Sequence, residues 1–429
     1  MIESVSSVDQ MNEARIEKGE GLSKHKALFV TARPPYPLDT GAKIRTWNIL
    51  SGFVDRYAVD VLHFIDPVVE AEWREAASAR GVGAIYGVEN PDLNRGTSPS
   101  DLLAALFKGL PVSTVKYTRA DFAARLEELA PGYDLVHVDT IHLAGGLGSL
   151  GNGQGSPFTT LNAHNVEYQI AERMRDLETS LPRKLALGLH ARNMRRFEAR
   201  AFRDADMVLA VSGEDREQID AMAGTGKAML VENGVDVAYY TPAGDPVGQG
   251  DNLVFVGSMD WLPNIDGMKW FVRDMLPTIR GVRPKTRLTI VGRSPHPDIR
   301  ALHDPGAGVV VTGTVDDVRP FVREAGVVIV PLRFGGGTRL KILEAFAMGK
   351  AVLSTALGCE GILCEDNRHL RIEDHPQSFA RRCLELMGDE AARRRLGMQG
   401  RDLALSRYSW DAVVGRMHEA VERGITRRR

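Results

Sequence analysis

Residues 328–354 read VIVPLRFGGGTRLKILEAFAMGKAVLS, which passes from an apolar run through a glycine turn to a helical pattern and a second apolar run. The first run ends at Pro331, and three glycines follow at positions 335–337. We predict a helix from near Thr338 to Gly349, where glycine suits the C-cap. A strand, a tight turn, a helix and a strand in this order are typical of one step of a doubly wound parallel sheet.

The same alternation of short apolar runs and helical patterns extends along the chain in both directions. Near-continuous β-branched runs indicate strands that are buried on both faces of a parallel sheet. The N-terminal runs are Ala27–Thr31, Val59–Phe64, Gly83–Val88, Leu135–Val138, Phe158–Leu161, Met207–Val211 and Met229–Glu232. The C-terminal runs are Leu253–Gly257, Leu288–Gly292, Val309–Thr312, Val327–Pro331 and Ala351–Thr355. The pattern predicts an α/β protein with two Rossmann-like, doubly wound domains facing a central cleft.

A stretch rich in Pro, Gly and Asp separates the two halves and is the best candidate for a domain boundary. We predict a flexible tail over residues 1–25, an N-terminal domain over 26–235 and a linker over 236–251. A C-terminal domain over 252–405 and a closing helix with a basic tail over 406–429 complete the chain.

The composition is that of a soluble globular protein. Of 429 residues, 43% are hydrophobic and 26% are charged, and the formal net charge is −2, so nothing indicates nucleic-acid binding. Three cysteines are too few for a disulfide framework or a zinc site built mainly from cysteine. The sequence shows no signal-peptide pattern and no run of the roughly 18 apolar residues that a spanning helix needs. We therefore expect a cytoplasmic protein, with peripheral contact at the inner face of the membrane still open.

The glycine turn before the predicted helix is suited to hold an anion. Glycines let backbone amides approach a phosphate, and the positive end of the helix dipole favours it there. Arg339 and Lys341 add positive charge in the first turn, where the dipole disfavours it, which indicates an anionic ligand. Glu344, one turn further in, can accept hydrogen bonds from a ribose diol. The alternative is a tight strand-to-helix turn with a surface ion pair between Lys341 and Glu344.

An ordered series of phrases resembles the retaining glycosyltransferases of family 4, which have the GT-B fold. These phrases are NLVFVGSMDWLPNIDGMKWF, LTIVG, GTVDDVRPFVREAGVVIVPL, LEAFAMGKAVLST and YSWDAVVGRM. The resemblance covers roughly residues 27–422. It implies a hexosyltransferase-like enzyme, typical of polysaccharide biosynthesis, that uses a nucleoside diphosphate sugar bound by the C-terminal domain. The N-terminal domain would then face a glycan, lipid-linked or small-molecule acceptor.

The resemblance also implies roles for individual residues of the C-terminal domain. Glu344 would hold the donor ribose, Gly257 would pack close to the diphosphate, and Val315 would line the nucleobase pocket. The glycine turn and the start of the helix would cradle the diphosphate through Gly336, Gly337, Thr338 and Arg339.

Two departures from the family pattern affect this assignment. Gly336 stands where the family has its first acid, which usually meets the transferred sugar. The loop Ser258–Asn264 also lacks the bases that often bind the diphosphate, and we interpret Arg339, Lys341 and Arg333 as compensation. The missing acid keeps a non-catalytic nucleotide-sugar-binding or scaffold protein open as an alternative. A nucleotide-sugar epimerase is a second alternative, although the LEAFAMG and YSWDAVV phrases argue against it.

The loop after the first strand, ARPPYPLDTGAKIRTWNIL, resembles the family's glycine loop, which closes over the donor phosphates from the acceptor side. Gly41 permits close backbone approach, and Arg45, one turn into the following helix, can reach a phosphate. Asp39 is a candidate catalytic residue, or alternatively the cap of that helix.

His164 lies in LNAHNVEY, just past a strand end, where open α/β sheets build their sites. By resemblance it is the active-site histidine near the transferred sugar, whereas His137, inside a strand, is interpreted as structural. Nothing matches a nucleophile elbow, a Walker loop or a metal-binding histidine pair. We expect the leaving diphosphate to take the acceptor proton while Arg339 and Lys341 neutralise its charge, without a cofactor or an essential metal.

The segment Pro182–Asp204 carries Lys184 and six arginines against Glu198 and Asp204. A solvated helix face explains such a run equally well. The functional interpretation is a basic surface that meets anionic lipid or a lipid-diphosphate acceptor.

Overall fold

The computed structural model of the chain describes residues 25–428, apart from positions 39, 152, 154, 225, 243, 245, 246 and 336–338. The described residues divide into two compact units. Unit 1 combines the chain up to Ala210 with Asp215–Met229 and the end of the chain from Met417, and unit 2 combines Val211–Glu214 with Leu230–Arg416. The predicted tail lies outside the described residues except for His25. The other domain boundaries expected from the sequence stay predictions.

Unit 1 is built on a seven-stranded sheet with the order β3-β2-β1-β4-β5-β6-β7. Its strands are β1 Lys26–Thr31, β2 Ala58–Phe64, β3 Ile85–Val88, β4 Leu135–Val138, β5 Phe158–Ala163, β6 Met207–Ala210 and β7 Ala228–Leu230. The registered pairs from β3 to β6 are all parallel. Leu28 and Val30 of the central strand β1 are 0% exposed, because helices cover both faces of the sheet.

The described residues of this part of the chain form eight α-helices, and the sequence marks several of their ends. They are α1 Gly41–Arg56, α2 Glu70–Arg80, α3 Pro99–Lys108, α4 Val112–Val115, α5 Ala120–Leu129, α6 Glu167–Leu177, α7 Leu181–Asp204 and α8 Gly213–Ala223. Thr40 caps α1 by accepting from the amide of Lys43 at 3.4 Å. Ser98 and Asp101 form a reciprocal capping box at the start of α3.

Unit 2 has a six-stranded sheet with the order β10-β9-β8-β11-β12-β13, again with parallel pairs. Its strands are β8 Gln249–Val256, β9 Arg287–Val291, β10 Val309–Gly313, β11 Ala325–Val330, β12 Val352–Ser354 and β13 Arg371–Ile372. Its helices are α9 Leu262–Asp274, α10 Leu276–Val282, α11 Pro297–Arg300, α12 Arg319–Glu324, α13 Leu340–Ala347, α14 Pro376–Gly388 and α15 Glu390–Leu403. A last helix, α16 Trp410–Arg428, begins in unit 2 and ends in unit 1.

Both sheets reverse their winding direction once. In unit 1 the order reverses between β1 and β4, and in unit 2 it reverses between β8 and β11. Loops at such a reversal separate at the carboxyl ends of the two strands and leave room for a ligand. The described site residues that follow β1, β8 and β11 therefore lie at these two switch points.

The structure confirms the predicted pair of parallel, Rossmann-like sheets and each strand predicted from an apolar run. The two-residue strand β13 is an addition that no apolar run signals. The helix after the glycine turn begins at Leu340, with Arg339 as its N-cap, which corrects the expected start near Thr338. Gly349 follows its end with a φ of 69°, as glycine at this position allows. Among the described residues, none of the helices combines the length and apolar character needed to span a bilayer.

Candidate functional site

Five polar side chains form a network at the carboxyl ends of β4 and β5 in unit 1. Arg45 donates to Asn162 Oδ1 through Nε at 3.1 Å and Nη2 at 3.0 Å. Asn162 in turn donates from Nδ2 to Asp139 Oδ1 at 3.0 Å, and Thr46 Oγ1 donates to Asp139 Oδ2 at 2.7 Å. The fifth member is His164. The network connects α1 to the ends of both strands, so it holds these elements together at the switch point.

The imidazole of His164 is oriented by this network. Its Nε2 lies 2.9 Å from the backbone oxygen of Asp139 and 3.6 Å from the Asp139 carboxylate. The same Nε2 lies 3.2 Å from the Asn162 amide Nδ2, so an acceptor, the Asp139 carbonyl, and a donor, the Asn162 amide, both face this nitrogen. The side chain is 20% exposed. His164 is thus a partly exposed imidazole whose ring is oriented by Asp139 and Asn162, and its contact with a sugar stays a prediction.

Asp139 carries the negative charge of the network. Burial would raise the pKa of its carboxyl group, but His164 and His137 hold that pKa below the usual range. His137 is fully buried, its Nδ1 lies 2.8 Å from Thr160 Oγ1, and burial lowers its pKa. These features agree with the structural role expected for His137.

The structure places Arg45 differently from the sequence interpretation. Only 2% of this residue is exposed, and its guanidinium is directed at Asn162 rather than outward, where a phosphate would meet it. Gly41 is the first residue of α1, next to the capping Thr40. Asp39 lies outside the described residues, and the capping role considered for it belongs to Thr40.

In unit 2, Lys341 projects from α13 toward the loop that follows β8. Its Nζ donates to Asn264 Oδ1 at 3.0 Å and lies 3.9 Å from the ring centre of Phe255. A Cβ atom at Gly257 would lie only 2.9 Å from that Nζ, closer than real Cβ atoms come. A side chain at position 257 would therefore displace the ammonium group, and also the Asn264 amide, whose Nδ2 would lie 2.8 Å from that Cβ. The loop Ser258–Asn264, which contains no basic residue, thus has the Lys341 side chain beside it.

Burial shifts the pKa values of the two ionisable groups of α13 in opposite directions. Burial, with a further contribution from Arg339, lowers the pKa of Lys341 to about 7. The pKa of Glu344 is raised by burial, although a hydrogen bond from the Tyr240 hydroxyl and the charge of Lys341 act against that rise. Both charges are therefore only partly stabilised by the protein, and an anion near Lys341 would favour its ammonium form.

Lys341 and Glu344 have separate partners, Asn264 and Tyr240. The alternative interpretation, a surface ion pair between the two, does not describe this arrangement, since both side chains are half-buried. Arg339, at the N-cap of α13, is 7% exposed.

The remaining predicted residues of unit 2 divide into three cases. Val315 is partly buried and packs against the core of the unit. Gly336, Gly337 and Thr338 lie outside the described residues. Arg333 donates from Nε to Asp266 at 2.9 Å and stacks over Trp270, so its charge already has a partner within unit 2, and its role as a compensating base stays a prediction.

The sequence interpretation missed Arg293, Asp139 and Asn162. Arg293 follows β9, and its Nε donates to Ser258 Oγ at 3.1 Å, which adds a second base beside the loop after β8. Asp139 directly follows β4, and Asn162 is the penultimate residue of β5. A polar residue at such an end is the signal that could have identified all three. Among the described positions, no group of three or more His, Cys, Asp or Glu side chains could hold a metal ion.

Two family models match this chain. The model described as a glycosyl transferase 4-like domain matches residues 40–234, and the one described as glycosyl transferases group 1 matches residues 250–389. Together they span most of the sequence.

Two curated proteins are similar over shorter stretches. An uncharacterized 44.6 kDa protein in the cps region of Klebsiella pneumoniae is 25% identical over 137 residues, 30% of this chain and 35% of that protein. An uncharacterized glycosyltransferase of Methanocaldococcus jannaschii is 30% identical over 101 residues, 23% of this chain and 28% of that protein. The chain thus matches about a third of the length of these relatives.

Among solved structures, the Anabaena protein HepE in complex with UDP and glucose is similar in fold. The two chains align with a TM-score of 0.62 at 13% identity, over 93% of this chain and 99% of HepE. Sucrose-phosphate synthase from Thermosynechococcus elongatus gives the same TM-score at 17% identity, over 93% of this chain and 99% of the synthase. These likenesses confirm the expected GT-B fold class.

Proposed function

We propose a retaining sugar transfer for this chain, which belongs to the glycosyl transferases of group 1. The donor would be a nucleoside diphosphate sugar, and the acceptor a glycan, a lipid-linked saccharide or a small molecule. The observation that carries the proposal is the arrangement around α13. Lys341 lies beside Gly257 and the loop after β8, while Glu344 sits one turn further along the same helix. This spacing suits a diphosphate at one end and a ribose at the other.

The chemistry that these groups support is stabilisation of a leaving diphosphate. As the bond from the sugar to the diphosphate breaks, negative charge grows on the phosphate oxygens. Lys341 and Arg339 would neutralise that charge, and the diphosphate would accept the proton of the attacking hydroxyl. His164, whose Nδ1 takes no part in the network described above, would form a hydrogen bond with a sugar hydroxyl. No protein nucleophile is needed for this route.

The proposal is tested by ligand-induced stabilisation and donor turnover. Because HepE was solved with UDP, we would begin a thermal-shift panel of nucleoside diphosphates with UDP and include GDP and ADP. A ligand at 100 times its Kd stabilises the folded state by about 2.7 kcal/mol. Release of free sugar from the matching nucleotide sugar should then be detectable. Stabilisation without any hydrolysis or transfer would favour the binding-protein alternative, which rests on Gly336 in place of an acid.

We expect activity to be independent of metal ions, because fixed protein cations are assigned to the leaving diphosphate. Sugar release should continue at an unchanged rate with excess EDTA. The measurement compares chelated enzyme with enzyme given magnesium or manganese. Loss of activity with EDTA and its recovery with either ion would contradict the assignment.

We also propose that helix α7 contacts anionic membranes. One of the two acids of its sequence is buried and does not offset the bases at the surface of the helix. Glu198 is fully buried and accepts from the amides of Glu167 and Tyr168, and burial raises its pKa to about 8. Asp204, by contrast, offsets one base, since it pairs with Arg200 at 3.6 Å. The exposed surface of α7 is therefore more basic than a count of its charges indicates.

The expected result is co-sedimentation with anionic vesicles at low salt that weakens as salt shortens the Debye length. A variant with Arg192, Arg195 and Arg196 changed to Glu should bind at least tenfold less, since each base near such a surface contributes about 1 kcal/mol. All three are exposed, so the variant should fold normally. Equal binding to neutral and anionic vesicles, or no effect of the charge reversal, would leave α7 as a solvated face.

A further inference from the structure

Helix α3 turns its apolar side to solvent. Four large apolar residues of this ten-residue helix are exposed: Leu102 by 54%, Leu103 by 56%, Leu106 by 61% and Phe107 by 85%. At positions i, i+1, i+4 and i+5 they share one face of the helix. Single exposed apolar residues are ordinary, but a contiguous set of four marks an interaction surface.

The helix itself is well fixed, so this exposure is not a frayed end. Pro99 occupies the first turn, the Ser98–Asp101 capping box closes the N-terminus, and Gly109 ends the helix with a φ of 61°. Ala105 is its buried residue and anchors it to unit 1. The four apolar side chains thus have a fixed common direction.

The charges of α3 indicate what covers this face. Its single acid, Asp101, is held by Arg95, whose Nη1 and Nη2 each donate to one carboxylate oxygen at 3.0 Å. The other charged residue of the helix is Lys108, which is exposed at its end. An apolar face without a free acid, bordered by a lysine, complements the interface of an anionic bilayer.

We propose that α3 inserts its apolar face, Leu102, Leu103, Leu106 and Phe107, into the interfacial zone of an anionic lipid bilayer. The inference extends the membrane contact proposed for α7 and rests on it only for the choice of lipid. The two contributions differ in kind. Attraction by α7 is electrostatic and falls with salt, whereas burial of the α3 face is apolar and persists at high salt.

The test is partition onto vesicles of phosphatidylcholine with and without phosphatidylglycerol, at low salt and at a salt concentration high enough to screen the charges of α7. The variant combines Leu106→Glu with Phe107→Glu. Both side chains are exposed, so the melting temperature should match wild type. The matched control is Val282→Glu, which alters a residue of unit 2 that is 66% exposed. We expect wild type and control to keep measurable binding at high salt, and the α3 variant to bind at least about tenfold more weakly, as expected when two apolar anchors are lost.

A second measurement places the helix in the lipid directly. In Phe107→Trp, fluorescence should shift to the blue on binding and be quenched by brominated acyl chains more strongly than in wild type. Vesicle binding by the α3 double variant equal to wild type, or no extra quenching in Phe107→Trp, would overturn the proposal. So would a wild-type dimer, seen in sedimentation, that the α3 double variant dissociates without any change in vesicle binding. Turnover of a soluble donor is read separately, so failure of the sugar-transfer proposal would be distinguishable from failure of this one.

Discussion

Lys341→Ala should weaken binding of a nucleoside diphosphate sugar roughly 10- to 100-fold and reduce turnover by at least as much. A charge-assisted hydrogen bond in a partly buried site contributes about 1.5–3 kcal/mol, and every 1.4 kcal/mol is tenfold in affinity. Arg339→Ala should act in the same direction. The bare nucleoside, which has no phosphate, should bind both variants almost as well as wild type. Isothermal titration with UDP-glucose, UDP and uridine separates the contribution of the diphosphate to affinity from that of the nucleoside.

The lowered pKa of Lys341 predicts how this binding depends on pH. With a pKa of about 7 in the free protein, the side chain becomes charged as the pH falls from about 8 to about 6. A bound phosphate favours the charged form, so affinity for the donor should increase as the pH falls through about 7. A nucleotide sugar is the proper probe because its diphosphate is esterified at both ends and keeps its charge over this range. Lys341→Ala should abolish the dependence.

Lys269→Ala is the matched control, because Lys269 lies in the same unit, is 50% exposed and pairs with Asp298. It should bind the donor like wild type at every pH. Wild-type turnover by both Lys341→Ala and Arg339→Ala would mean that the diphosphate binds elsewhere and that our interpretation of α13 is wrong.

Glu344→Ala should weaken the nucleoside and the nucleotide sugar alike, by about tenfold or more. A buried hydrogen-bonding group that loses its partner costs about 1–3 kcal/mol. Without the Glu344 carboxylate, the hydroxyls of the bound ribose would lose their acceptor. The shared loss distinguishes this variant from Lys341→Ala, which should spare the nucleoside. Tyr240→Phe, which removes the hydroxyl that donates to Glu344, should give a smaller loss of the same kind.

The fold should survive the removal of Glu344, since burial already disfavours its charge. Thermal unfolding without ligand checks this point, and Glu385→Ala, on an exposed carboxylate, serves as the control. If titration shows donor affinity unchanged in Glu344→Ala, this residue does not belong to the donor site.

The strands follow from local sequence. Apolar β-branched runs such as Val327–Pro331 are typical of strands that are buried on both faces of a parallel sheet. The type of element can therefore be predicted from residues that are adjacent in sequence. The start of α13 was misplaced by two residues because the terminal turn of a helix depends on contacts that propensity does not contain. The strand β13, with two residues, is too short to leave a pattern.

The sequence by itself thus determined the two doubly wound sheets, the helix α13 that follows β11, and the positions of Lys341 and Glu344 on that helix. Only the tertiary structure decided which of the polar side chains form hydrogen bonds within the protein. Arg45 meets Asn162 across 117 positions, and Lys341 meets Asn264 across 77. Helical spacing gives the direction of a side chain but not its partner, since partners come from other strands and loops. The same holds for the apolar face of α3: a pattern typical of core packing is exposed there because none of the described elements covers it.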